Sequence, residues 1–465
     1  QKRNTHSLCE RFLEREQRES SYFFLSLCFP SPYKPLESLI FFKDSDEYPS
    51  AKETTFFKFK VSDEYPSPKE TSLRESDKSS GKLDLLPFDI EVEILTRLPG
   101  KSVIKFLCVS KIWSSIIRSQ RFVDSYYALS SATRSRFIIA FSHLSTAEVN
   151  DKRLFIFSSS HEDEVEEEES SSSSSLVANL DMTIPSVTLG YGSKCTSVHG
   201  FVGCRHGASQ LTICNPSTKQ VITFPCNGSR ISLGYDPVGD QFKALTLVSS
   251  PNQTHQFIVH QVITVGARGV VESRSEITSP PYCSLTSGIC INGFIYYGAC
   301  APTLGTTPVI VSFDVRHERL SFITAPEDVL VWKSCSILIE YRGKLASIVR
   351  NPYAFFDRFD LYILEDAKKP DWSKQTFELP FSLGMGKDVT SQGTNKAGEI
   401  IFAPTTLPYD VQPCYIFYYN TDTKDLRRVR IHGIADTEEF RHCCGLAGLC
   451  FVSISPEHVE SIASL

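Results

Sequence analysis

Apolar residues follow two different periods along the chain, and the change between them divides it. From Leu83 the spacing is helical: Ile90, Ile94, Leu95 and Leu98 stand at i, i+4, i+5 and i+8 behind Leu86-Pro87, a pair that can open a helix. Pro99-Gly100 closes that helix. Val103, Phe106, Leu107 and Val109 make a second short apolar face, and Ser110 can cap a third helix with Trp113, Ile116 and Ile117 turned inward. Three short helices in about forty residues make a unit too small to hide its own apolar face, so a partner or a second domain is expected to complete its core.

After Arg134 the helical period ends and short β segments bounded by turns replace it. Examples are Phe137 to Phe141, Leu154 to Phe157, Gln210 to Cys214, Lys344 to Val349 and Tyr415 to Tyr419. The turns between such segments are explicit, as in Asn215-Pro-Ser-Thr218, Asp236-Pro-Val-Gly239, Asn292-Gly293 and Arg342-Gly343. Gly293, Gly343, Gly398 and Gly445 recur at roughly 50-residue steps, the spacing of propeller blades of about four strands each. The expectation is an antiparallel β-propeller-like domain over 134–465 with six or seven blades, two stacked sheets being the alternative.

Residues 1–80 show neither period. Ser45 to Thr54 recurs almost letter for letter as Ser62 to Thr71, and the density of charge, Pro and Ser predicts a disordered extension. A second biased tract, 161–175, holds seven acidic residues and a serine run, and is expected to be a solvated loop insertion. The net charge of −6 belongs to that tract, and the near-neutral remainder offers no basic surface for nucleic acid. Acidic residues among Arg11, Arg15 and Arg18 argue against a presequence, and no run of about 18 apolar residues suggests a membrane span. Fifteen cysteines, an odd number mostly inside apolar runs, read as unpaired buried thiols in a reducing nucleus or cytoplasm.

Leu85-Leu-Pro-Phe-Asp-Ile-Glu-Val-Glu-Ile-Leu-Thr-Arg-Leu-Pro-Gly100, continued by Lys-Ser-Val-Ile-Lys-Phe-Leu-Cys-Val-Ser-Lys-Ile-Trp113, closely resembles the F-box of plant F-box proteins over 83–126. Leu107 stands where that family often has Arg. The resemblance implies binding of a Skp-family adaptor, and through it a cullin, by Leu86, Pro87, Ile90, Ile94, Leu98, Val103, Val109 and Trp113. The blocks Thr196 to Cys204, Cys214 to Pro225, Leu233 to Pro237, Gly288 to Gly293, Ser312 to Arg316 and Ile339 to Lys344 resemble the kelch-like, type 3 F-box-associated domain. Here His199 departs from the usual Asn.

Against these, other chemistry is weak. Cys195, His199, Cys204 and His206 have metal-like composition, but Phe201, Val202 and Cys204 read as an ordinary packed strand, so strand packing is expected rather than zinc. Gly190-Tyr-Gly192 lacks both the last glycine and the helix of a dinucleotide fingerprint, and no hydrolase, zincin or Walker motif is present. The expected function is therefore a non-catalytic substrate-receptor subunit of an SCF-type ubiquitin ligase, with no cofactor or metal, presenting an unidentified target protein. A regulatory interaction protein, or a ligand-binding or enzymatic propeller, is the alternative.

Overall fold

The computed structural model describes residues 88–464 except 144–151, 161–164, 167–172, 191–192, 208, 249–256, 267–270, 303–306, 331–335, 351–355, 380–384, 386–387 and 447. The expected disordered extension, with Leu86 and Pro87, lies outside the described residues. The described part opens on four helices: α1 Phe88–Arg97, α2 Gly100–Phe106, α3 Lys111–Ile117 and α4 Gln120–Thr133. Ser110 caps α3 as its position predicts, its hydroxyl accepting from the Trp113 N–H over 3.1 Å. Helix α4 adds to the three expected from spacing. Its inward positions are Phe122, Tyr126 and Ser130, and a serine in the third place breaks the apolar stripe that would reveal it.

The rest is built on six sheets, antiparallel but for one added strand, the blades of a propeller, with a short helix Glu438–Cys444 between the last two strands of the chain. The innermost strands are Cys450–Val459 in blade 1, Cys195–Val198 in blade 2 and Ser229–Asp236 in blade 3. In blade 4 the pair Cys283–Ser284 and Ile289–Ile291 takes this place, followed by Ser336–Tyr341 in blade 5 and Val389–Thr394 in blade 6. Blade 1 closes the ring: its inner strand comes from the end of the chain, and Ser135–His143, Arg153–Ser160 and Asn179–Pro185 come from just after α4. Ile139 pairs with Ile454 across that seam. Apolar faces of adjacent blades fuse into shared cores, as where Phe359, Phe377, Phe402 and Tyr419 meet between blades 5 and 6.

Since the inner strands all run the same way, each blade puts its first and third turns at one end of the propeller. The longer connections, including those between blades, lie at the other, except for residues 161–178 between the last two strands of blade 1. Hairpins such as Asn292-Gly293, with φ of 48° and 81°, keep the first end tight.

Two sequence expectations are corrected. The tract 161–175 is not wholly loop: Ser173–Val177 forms a strand, running parallel to the outer strand Leu426–His432 of blade 6, and Val165–Glu166 pairs with it. Leu176, fully buried in the core of blades 1 and 6, fixes this strand, while the serines need only extended backbone to complete the ladder. Cys195 and Cys204 are not lone thiols. They stand directly opposite on neighbouring strands, 4.5 Å apart at Cα, and form a disulfide, a pairing that no C-x-x-C spacing announces.

Candidate functional site

The helices expose apolar side chains on one side and bury charge on the other. Phe88, Ile90 and Ile94 on α1, with Val109 just before α3 and Ile112 on it, face solvent, Ile90 at 45% and Val109 at 58% exposure. Trp113 is half-buried, its ring 4.8 Å from Phe106 and its Nε1 donating to Glu91. Leu98 is partly buried in the helical core, and Val103, fully buried, supports the exposed face from beneath. A groove of about 520 Å³ runs alongside, lined by Leu107, Cys108, Val109, Ser110, Lys111 and Ser114 among others. Phe88 and Ile112 were not singled out from sequence, although both sit within the helical motif.

The opposite side is clamped to the tight end of the propeller. Gly100, at the start of α2, approaches so closely that a Cβ there would stand 3.0 Å from Ser217 and 3.2 Å from the Glu460 carboxyl. That carboxylate, 1% exposed, pairs with Arg136 at 3.1 Å and accepts from the Tyr126 hydroxyl at 2.9 Å. Burial, reinforced by Glu460, drives the Tyr126 phenol well above its ordinary pKa, so it stays a donor. Lys101 of α2 reaches Asp181 in blade 1 at 2.5 Å. Asn215 carries the chain end: its amide donates to the carbonyls of Ser461 and Ala463 while its Oδ1 accepts from the Ser217 N–H. Ile462, thus held, enters the helical core beside Leu95, Val103, Ile117, Phe122 and Tyr126.

His199 belongs to this contact rather than to a metal site. Its ring lies 3.9 Å from Tyr127 of α4 and 3.7 Å from Tyr235 of blade 3, and burial pushes its pKa down to about 4. It sits at φ 46°, a left-handed conformation that both Asn and His tolerate, which accounts for the departure from the usual Asn. His206 hydrogen-bonds Thr212 instead, so the four metal-like residues do not converge. Among the described residues no group of three or more His, Cys, Asp or Glu side chains could hold a metal ion.

The F-box domain model matches residues 83–125, and the F-box associated beta propeller domain model matches 138–455. The chain is a plant F-box protein. Its relatives include the Arabidopsis thaliana F-box protein At1g30790, 51% identical over 83% of this chain and 99% of that one. The putative F-box protein At1g32660 is 46% identical over 80% and 82%, and F-box protein DOR is 34% identical over 75% and 88%, both also from Arabidopsis thaliana. An F-box implies binding of a Skp-family adaptor in general; in this F-box protein the matched residues take in helices α1 to α3 and the start of α4, and the six blades are the associated propeller. What the motif did not reveal is the underside. Tyr126, Arg136, Asn215 and Glu460 are scattered over more than 330 residues, and no local spacing connects them.

Proposed function

We propose that this F-box protein is the substrate receptor of an SCF-type ubiquitin ligase, and that Leu86, Pro87, Ile90, Ile94, Leu98, Val103, Val109 and Trp113 form or shape the face covered by the adaptor. The observation that carries this reading is the exposure of Ile90, Ile94 and Val109 on a module whose other side is already packed. Large apolar residues left in solvent on a small helical unit mark an interface. Through the adaptor the chain joins a cullin, and the propeller holds a target protein near ubiquitin-charged enzyme. Raising the effective concentration of the target's lysines is the whole of its catalytic contribution, so the receptor needs no nucleophile of its own.

The test is co-purification of the full chain with a Skp adaptor, comparing wild type with Ile94→Asp and Val109→Asp. Both residues are exposed, so the variants should melt like wild type yet lose the adaptor. Retention of the adaptor by the double variant overturns the assignment of the face. Reconstitution with cullin and charged enzyme then separates a ubiquitin-ligase receptor from a regulatory interaction protein.

A further inference from the structure

The looser end of the propeller carries a cation whose charge no carboxylate among the described residues balances. Lys194 directly precedes the inner strand of blade 2, whose first residue Cys195 donates its N–H to Ser453 Oγ in blade 1 at 2.8 Å. From there the Lys194 ammonium extends to the carbonyl of Ser391, on the inner strand of blade 6, at 3.3 Å. Blades 2 and 6 flank blade 1, so the side chain passes across blade 1's inner strand at the mouth of the ring of inner strands. Solvent still reaches it.

Three features distinguish this ammonium from a structural ion pair. Its hydrogen bond goes to a neutral carbonyl. Its pKa falls to about 8 through burial alone, with no carboxylate among the described residues pulling the other way. The hydroxyl of Ser391, 1% exposed, has no hydrogen-bond partner among the described residues. A partly desolvated charge lacking a counter-ion costs stability, and such a group at an open cleft marks a place where a ligand can supply the missing charge. The end of the propeller on which it opens is opposite the F-box, and Val248, Phe257, Tyr409 and Val411 expose apolar side chains on connections of that same end.

We infer that the Lys194 mouth is an oxyanion-binding site for an acidic side chain of the target protein, an Asp or Glu carboxylate presented by an extended segment with apolar flanks. This rests on the receptor reading above and adds the chemistry of what is received. Charge complementarity selects the acidic residue, since the partly desolvated ammonium gains more from a carboxylate than an exposed lysine does.

The experiment uses the full chain purified with its Skp adaptor. Acetylation of Lys194 by acetic anhydride at pH 8 is followed by peptide mass spectrometry, alone, with hexaglutamate, and with inorganic phosphate at matched ionic strength. Hexaglutamate should slow labelling of Lys194 roughly ten-fold near saturation, as about nine-tenths occupancy requires, while exposed lysines such as Lys368 keep their rate. Phosphate should protect far less. Equal protection by phosphate makes the mouth a small-anion site and overturns the inference, as does no protection by either. Lys194→Met should abolish hexaglutamate binding, measured by fluorescence anisotropy of a labelled peptide, without loss of the adaptor; unchanged binding also overturns it. Failure of wild type to hold the adaptor counts against the receptor reading instead.

Discussion

The Tyr126 hydroxyl in the last helix of the F-box region donates to the carboxylate of Glu460, 334 residues further on, over 2.9 Å. Arg136 neutralises the same carboxylate at 3.1 Å, at the first strand after the helices. Both ends of the propeller's closing blade therefore meet beneath the F-box, and the F-box helices and the ring are one packed unit.

Glu460→Ala should cost about 3 kcal/mol of stability, because it leaves Arg136 and the Tyr126 hydroxyl facing each other without their shared acceptor. Tyr126→Phe should cost less, about 1–2 kcal/mol, since the hydroxyl also meets the Leu98 carbonyl at 3.1 Å and accepts from Arg134 at 3.4 Å. Denaturant unfolding of both variants and of the double variant checks this. Additive losses would mean that the two residues do not interact.

Ile462 supplies the F-box core with an apolar side chain from the other end of the sequence. Ile462→Ala should destabilise by about 2–4 kcal/mol through the cavity it leaves, and Ile462→Asp should also weaken adaptor binding although residue 462 lies away from the exposed face. Calorimetry and adaptor affinity, measured on the same preparations, test the two effects together.

Leu176 is fully buried opposite Ile431, on the strand that the serine-rich tract adds to blade 6. Leu176→Ala should lower stability by about 2–4 kcal/mol. A change within error of zero, read by thermal unfolding, would return Ser173–Val177 to the status of a solvated loop.

His199, His260 and His458 are each held near a pKa of about 4 by burial, below the 6.5 of an exposed imidazole. Above pH 6.5 they are neutral in both states and exact no penalty. As pH falls from 6.5 towards 4 the unfolded chain takes up protons that the folded one refuses, so stability declines through that window. His458, 1% exposed with Nδ1 on Ser197 Oγ at 2.9 Å, should account for on the order of 3 kcal/mol of the loss. Replacing it in His458→Gln should flatten the slope of melting temperature against pH between 6.5 and 4. Asp314, Asp360, Glu318 and Glu365, whose carboxyls are held low by hydrogen bonds and neighbouring cations, add to the loss at the acid edge of this window in wild type and variant alike, so the share of His458 is the difference between the two.

How much was legible follows from where each residue finds its partners. The F-box helices were readable because their signals are local: apolar residues at helical spacing, Pro99-Gly100 as a stop and Ser110 as a cap. Inner and middle strands such as Ser135–His143 and Cys414–Tyr419 were readable because blades bury both of their faces. Among the outer strands, Gln220–Pro225 and Leu426–His432 are also legible, whereas others are not. Val271–Ser279 and Asp371–Glu378 are largely polar, since their outward faces are solvated and the backbone ladder alone places them.

The sequence by itself determined the two modules, their order and the adaptor motif, because each rests on periods and turns a few residues long. Only the tertiary structure decided what joins them. Closing the ring brings Glu460 to Arg136 and Tyr126, Ile462 into the helical core, and Lys194 across to Ser391. These partners are separated by hundreds of residues and owe their proximity to the closure of six blades, a geometric condition that no local spacing encodes.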